Sequence, residues 1–95
     1  MELGFTAPVI EWRGPAPYYF VAVPDDEAAA IEAVSAGITY GWGMIPADVT
    51  IGQTTWYTAL WPRRGSYVVP LKDRIRRAEG IELDDVVGVR LSLDV

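Results

Sequence analysis

The sequence predicts a mostly β protein, a small β-barrel with two short helices in a single domain spanning residues 1–95, and three observations predict it. Apolar residues recur at every second position in several short segments, most cleanly at Val87, Val89, Leu91 and Leu93, which alternate with Gly88, Arg90, Ser92 and Asp94; this is the period of a strand with one buried face. Only two short segments have helical spacing, and neither sits in the strand–helix–strand rhythm of a parallel sheet. A chain of 95 residues that is 51% apolar has room for one hydrophobic core, and closing so apolar a sheet on itself removes the edges it would otherwise expose.

Residues 3–13 form the first predicted strand, with Leu3, Phe5, Ala7 and Val9 on one face and Gly4, Thr6 and Pro8 on the other. Pro8 has no N–H to give a ladder and implies an edge or a bulge. After the turn Gly14-Pro15-Ala16-Pro17, residues 18–23 read Tyr-Tyr-Phe-Val-Ala-Val, a continuous aromatic and β-branched run suited to a strand covered on both faces. Pro24-Asp25 then opens a helix with Asp25, Asp26 and Glu27 at the positive end of its dipole. Ala30, Ile31 and Val34 fall on one stripe of it, with Gly37 at the C′ position, so this helix is the expected outer cover of the second strand.

Residues 47–51 and 54–61 flank Gly52-Gln53, and glycine first in a two-residue loop suits a type II′ hairpin. Pairing Ile51 with Thr54 sets Val49 opposite Trp56 and Ala47 opposite Thr58, while Asp48 meets Tyr57 and Thr50 meets Thr55 on the other face. Val49, Ile51, Trp56 and Leu60 are assigned to the core; Tyr57 and Trp61 then face outward or toward a partner element. Residues 62–66 make a turn, and 67–71 a short strand interrupted by Pro70. A second helix carries Leu71, Ile75 and Ala78 on one side and its bases on the other, and ends at Gly80. The alternating segment at 87–93 closes the sheet.

Absence limits the chemistry. With no histidine and no cysteine, the chain has no Ser-His-Asp triad, no thiol nucleophile and none of the N and S ligands zinc favours. Glu11, Asp48, Asp84 and Asp85 remain as carboxylates, but no D-x-D-x-D-G loop gathers them. The expectation is a protein without metal or cofactor that is not an enzyme. A cysteine-free core suits a reducing compartment, and the N-terminus shows neither a basic leader nor a membrane-length apolar run. The expected setting is cytoplasmic, with no membrane partner.

The stretch ITYGWGMIPADVTIGQTTW, residues 38–56, concentrates glycine and aromatic residues. Gly41-Trp42-Gly43 looks like half a dinucleotide fingerprint, yet the third glycine is missing and a strand follows where a helix is needed. Two readings stay open. In one, Tyr40 and Trp42 plug a barrel end; in the other they form one wall of a small apolar pocket, with Trp12, Tyr18, Tyr57 or Trp61 as further walls. The ligand expected in the second case is a small apolar molecule.

Charge adds an alternative. The net charge is −5, but Arg63, Arg64, Lys72, Arg74, Arg76 and Arg77, offset by Asp73 and Glu79, give segment 63–79 a charge of +4 and leave −9 on the rest. Those six bases are either a solvated helix face or an anion and nucleic-acid patch; the acidic remainder argues against nucleic acid. An assembly module with a protein partner, acting through an outward Tyr57 and Trp61, is a third class.

Across nearly its whole length the chain resembles a known family. The segments P-Y-Y-F-V-A-V-P (17–24), G-W-G-M-I-P (41–46), I-G-Q-T-T-W-Y-T-A-L-W-P (51–62), Y-V-V-P-L-K (67–72), R-R-A-E-G (76–80) and L-D-D-V-V-G-V-R-L (83–91) resemble the domain of unknown function 1905 family of small bacterial proteins. The resemblance implies a double-split β-barrel, the fold class also used by swapped-hairpin AbrB-type DNA-binding domains, and it implies no established activity. Asp84-Asp85 stands where family members often have Gly-Asp, which puts the conformation of the Asp84 backbone in question. Gly52-Gln53 stands where Asn-Gly or Gly-Gly is common, a change compatible with a type II′ turn. The role expected on these grounds is a small-molecule or protein binding module, with nucleic-acid binding as the alternative.

Overall fold

A computed structural model describes residues 1–15, 18–37 and 43–94. Its elements run β1 (Glu2–Trp12), β2 (Tyr18–Ala22), α1 (Asp25–Val34), a 3-10 turn (Ser35–Gly37), β3 (Ile45–Ile51), β4 (Thr54–Arg63), β5 (Ser66–Leu71), α2 (Asp73–Glu79) and β6 (Val86–Ser92). The six strands close into an antiparallel barrel in the order β1-β2-β5-β4-β3-β6. Both long strands serve two sheets. β1 pairs with β6 from Glu2 to Pro8 and with β2 from Val9 to Trp12; β4 pairs with β3 from Thr54 to Leu60 and with β5 from Trp61 to Arg63. The barrel is therefore a β3–β6 sheet and a β2–β5 sheet, joined at two corners where β1 and β4 cross over. Pro8 lies at one of those corners, where the missing N–H falls at the change of partner.

The β3–β4 register is the expected one, with Val49 opposite Trp56, Asp48 opposite Tyr57 and Ile51 opposite Thr54. Val49, Ile51, Trp56 and Leu60 are buried, while Tyr57 is 67% exposed. Side-chain alternation carries this assignment, because a slip of one residue would turn every one of these side chains over. At the hairpin tip Gly52 has φ +59, and Gln53 is not among the residues with positive φ, as type II′ requires and type I′ does not allow. The next hairpin is tighter than expected. β4 runs to Arg63, and Arg64 (φ +50) with Gly65 (φ +77) make a two-residue turn of the I′ kind. Asp84, where a turn glycine was absent, takes the glycine-like conformation itself at φ +71. Its N–H bonds Val9 O at 3.0 Å, and Asp85 Oδ2 accepts the Glu82 N–H at 2.8 Å; aspartate tolerates this region better than most residues do.

The helices depart from expectation in three respects. Ala28 and Ile31 of α1 belong to the same buried cluster as the inward residues of the strands, so α1 packs into the barrel core and is not the cover of β2's outer face. Its buried stripe is Ala28 and Ile31, with Ala30 and Val34 only half-buried. Gly37 takes no positive φ: the chain tightens into the 3-10 turn instead, and Ser35 Oγ donates to Glu32 O at 2.9 Å, satisfying a carbonyl a left-handed cap would otherwise take. In α2, Ile75 is fully buried and Gly80 caps the helix at φ +63 with its N–H toward the Arg76 and Arg77 carbonyls, as read from the sequence. Ala78, placed on the buried side, is exposed. With seven residues the helix has one fully buried anchor, and Ile81 just beyond it supplies a second.

Candidate functional site

The outer face of the β2–β5 sheet is where the structure gathers aromatic side chains. Outward positions are Ile10 and Trp12 on β1, Tyr18 and Phe20 on β2, Trp61 and Arg63 on β4, and Val68 on β5, because their neighbours Val9, Val21, Leu60 and Val69 point into the core. Cross-strand pairing brings Trp12 opposite Tyr18 and Ile10 opposite Phe20. Tyr18 is the hub: its ring centroid lies 5.5 Å from Trp12, 5.5 Å from Phe20 and 5.1 Å from Trp61, the last edge-to-face at 67°. Such contacts each stabilise a sheet by about 0.5–1.5 kcal/mol beyond area burial. Among the described residues no helix covers this face. Phe20 and Val68 are buried yet stand outside the interior cluster, sheltered instead by their neighbours; the Arg63 guanidinium sits 5.0 Å from the Phe20 ring centre. Ile10 and Trp12 remain 40% and 38% exposed.

Gly14 lies against the Trp12 ring. A Cβ there would lie 1.8 Å from the indole Cη2, so a larger residue would require that ring to move. Trp12 is thereby held between the turn and Tyr18, and it supports the stack.

Among the described residues two clefts open beside these rings, the larger at the edge where both sides of the sheet contribute. The larger, about 470 Å3, lies between the rings of Tyr18, Tyr19 and Trp61 and the start of α2, with Glu11, Lys72, Asp73 and Arg76 among its lining residues. The Arg76 guanidinium stacks on Tyr19 at 4.0 Å from the ring centre, and its Nη2 donates to Asp73 Oδ1. Arg77 Nη2 lies 3.8 Å from the other oxygen of the same carboxylate, and Arg13 Nε donates to Glu11 Oε1 at 3.0 Å. Lys72 has no ion pair among the described residues. The smaller cleft, about 340 Å3, runs over Ile10, Phe20 and Val68 toward Arg63 and Arg64. A concave, ring-walled cleft of several hundred Å3 with a few convergent charges is the form small-molecule sites take.

Of the five aromatic residues expected at a site, Trp12 and Trp61 are brought together, joined through Tyr18. Tyr57 is not with them. It lies four residues, about 13 Å of strand, before Trp61, across the change of sheets, and lines a separate cleft with Asp48 and Asp94. Tyr40 and Trp42 lie outside the described residues. The six bases separate into two groups: Arg63 and Arg64 at one end of β5, and Lys72, Arg74, Arg76 and Arg77 at the other. Arg76, expected on a solvated face, is half-buried against Tyr19. The carboxylates disperse as well, and among the described residues no group of three or more His, Cys, Asp or Glu side chains could hold a metal ion. Sequence reasoning missed Phe20 as part of this face, and Glu11 and Tyr19, which pair on the opposite side of the sheet, as lining of the larger cleft. The available signal was the run at 18–23, whose alternation in a two-faced strand places Tyr18 and Phe20 outside.

One polar pair, a buried phenol and an exposed carboxylate, stands apart. Tyr67, 5% exposed, donates its hydroxyl to Glu32 Oε2 at 2.7 Å, tying β5 to α1. Burial first, then the adjacent carboxylate, push the phenol above its usual range. Among the described residues no helix is long and apolar enough to cross a membrane.

A family model described as "Domain of unknown function (DUF1905)" matches residues 5–91. A search of curated proteins found no match.

Proposed function

Because the chain belongs to the domain of unknown function 1905 family, which brings no assigned chemistry with it, we propose from its own residues that it is a non-enzymatic binding module for a small molecule. The observation that carries this reading is the Tyr18–Trp61 pair, backed by Trp12 and left uncovered by the other described residues, which forms one wall of a cleft of about 470 Å3 beside α2. An aromatic surface left outside the core, yet rigidly packed, offers a ligand large contact area at little cost in ordering. No histidine or cysteine is available for nucleophilic or general-base chemistry at neutral pH, and the carboxylates of the cleft each accept an arginine, which supports binding without turnover. The proposed setting is the cytoplasm, where a core with no disulfide is usual.

The test is a titration with indole, followed by the fluorescence of the tryptophans and by the amide spectrum of the labelled domain. Trp61→Ala and Tyr18→Ala should abolish binding and leave a folded spectrum, and Tyr57→Ala should leave binding intact. Loss of binding in Tyr57→Ala alone would move the site to the other sheet and refute the reading.

A second reading, nucleic-acid binding, is favoured by one observation: Arg63 and Arg64 lie at one end of the aromatic face and Lys72 and Arg76 at the other. A single strand stacking its bases along such a stripe would bind with a steep dependence on salt. Against it stands the charge of −9 outside segment 63–79 and the pairing of Asp73 with two of the arginines. Salt-insensitive or absent binding of oligonucleotides at physiological ionic strength is the result expected.

A further inference from the structure

We infer that the cleft beside α2 takes a planar aromatic ligand carrying an anionic group, with the ring stacked on Tyr18 and Trp61 and the carboxylate or phosphate at Lys72. This rests on the reading of that cleft as the binding site and adds the charge of its ligand.

Three features select an anion. The rings of Tyr18 and Trp61 are in contact at 5.1 Å, which leaves no space between them for a caged cation, so a ligand ring stacks on their free surfaces. The face of Tyr19 already carries a cation, the Arg76 guanidinium, and a second positive charge there would be repelled. Both carboxylates of the cleft are compensated, Glu11 by Arg13 and Asp73 by Arg76, whereas Lys72 has no ion pair among the described residues. The uncompensated charge is therefore positive.

The experiment compares indole with indole-3-acetate on the intact domain at low and moderate salt. The acetate should bind about fivefold more tightly at low salt, the factor one added ion pair supplies in a wet site, and the preference should shrink as salt rises. Lys72→Gln should erase the preference while leaving indole affinity unchanged; Lys72 makes no side-chain capping bond to α2, so the helix start does not depend on it. Arg74→Ala, exposed and outside the cleft, should leave the preference intact. Equal affinity for the two ligands, or a preference that survives Lys72→Gln, would overturn the inference without touching the site. Silence of both ligands would refute the site itself. Thymidine monophosphate and a short oligothymidylate identify the source of the anion: monomer binding alone points to a free metabolite, and tighter oligomer binding that also needs Arg63 and Arg64 points to a strand, with the chemistry at Lys72 upheld in either case.

Discussion

Trp56 offers the most quantitative test of the barrel register, because its substitution has two terms of opposite sign. The side chain is 4% exposed and lies in the interior cluster. An aromatic side chain buries about 150–250 Å2, equivalent to about 4–6 kcal/mol when 25 cal/mol is assigned to each Å2. Alanine keeps a methyl's share, and Trp56→Ala should cost about 3–5 kcal/mol. The indole Nε1, however, is buried with no hydrogen-bond partner among the described residues, a penalty of about 1–3 kcal/mol that the wild type carries. Trp56→Phe removes that N–H and keeps most of the apolar area, so it should lie within about 1 kcal/mol of the wild type. Tyr57→Ala, on the exposed side of the same strand, should cost about 0.5 kcal/mol. Urea denaturation followed by far-ultraviolet circular dichroism measures all three. A chain of this length has a total stability of about 5–14 kcal/mol, so if Trp56→Ala fails to fold, Trp56→Phe and Tyr57→Ala still decide the matter. Equal losses at positions 56 and 57, or a Trp56→Phe loss as large as that of Trp56→Ala, would refute the account of this strand.

Other outcomes follow from particular contacts. Arg64 occupies a left-handed position at φ +50 where asparagine is preferred, and Arg64→Asn should raise stability by about 0.5–1 kcal/mol in the same denaturation assay. The Tyr67 phenol, raised in the fold by burial and by Glu32, stays protonated when the unfolded chain has begun to lose that proton. Stability should therefore fall as pH rises above about 10, and Tyr67→Phe should flatten that slope while costing about 1 kcal/mol at neutral pH. Prolonged chelation should leave the melting curve unchanged; a drop of several degrees reversed by one divalent ion would contradict the reading of the carboxylates as solvated or arginine-paired groups.

The elements legible in the sequence were those whose two faces differ. Residues 87–93 and the hairpin around Gly52 alternate apolar and polar side chains, and their register could be read directly, down to Trp56 in and Tyr57 out. Residues 18–23 were recognised as covered on both faces, but the cover was misjudged. A strand that is apolar throughout does not say what lies against its outer side, and here Tyr18 and the Arg63 guanidinium lie against Phe20 where a helix was expected. The exposure of Ala78 and the 3-10 ending of α1 were invisible for a related reason: short helices have too few turns for a stripe to be defined by periodicity. Tyr57 and Trp61 share a face by alternation, yet β4 changes sheets between them. That handover depends on long-range pairing, which no local pattern encodes.

The central claim, that ligand binding resides on the outer face of the β2–β5 sheet, is tested most directly by mapping chemical shifts over the whole labelled domain during a titration with an unbiased set of aromatic fragments. The account predicts perturbations concentrated at Tyr18, Tyr19, Trp61, Lys72 and Arg76, with little change at Tyr57, Asp48 and Ser92. Shifts concentrated at Tyr57 and its neighbours, or none anywhere, would contradict it.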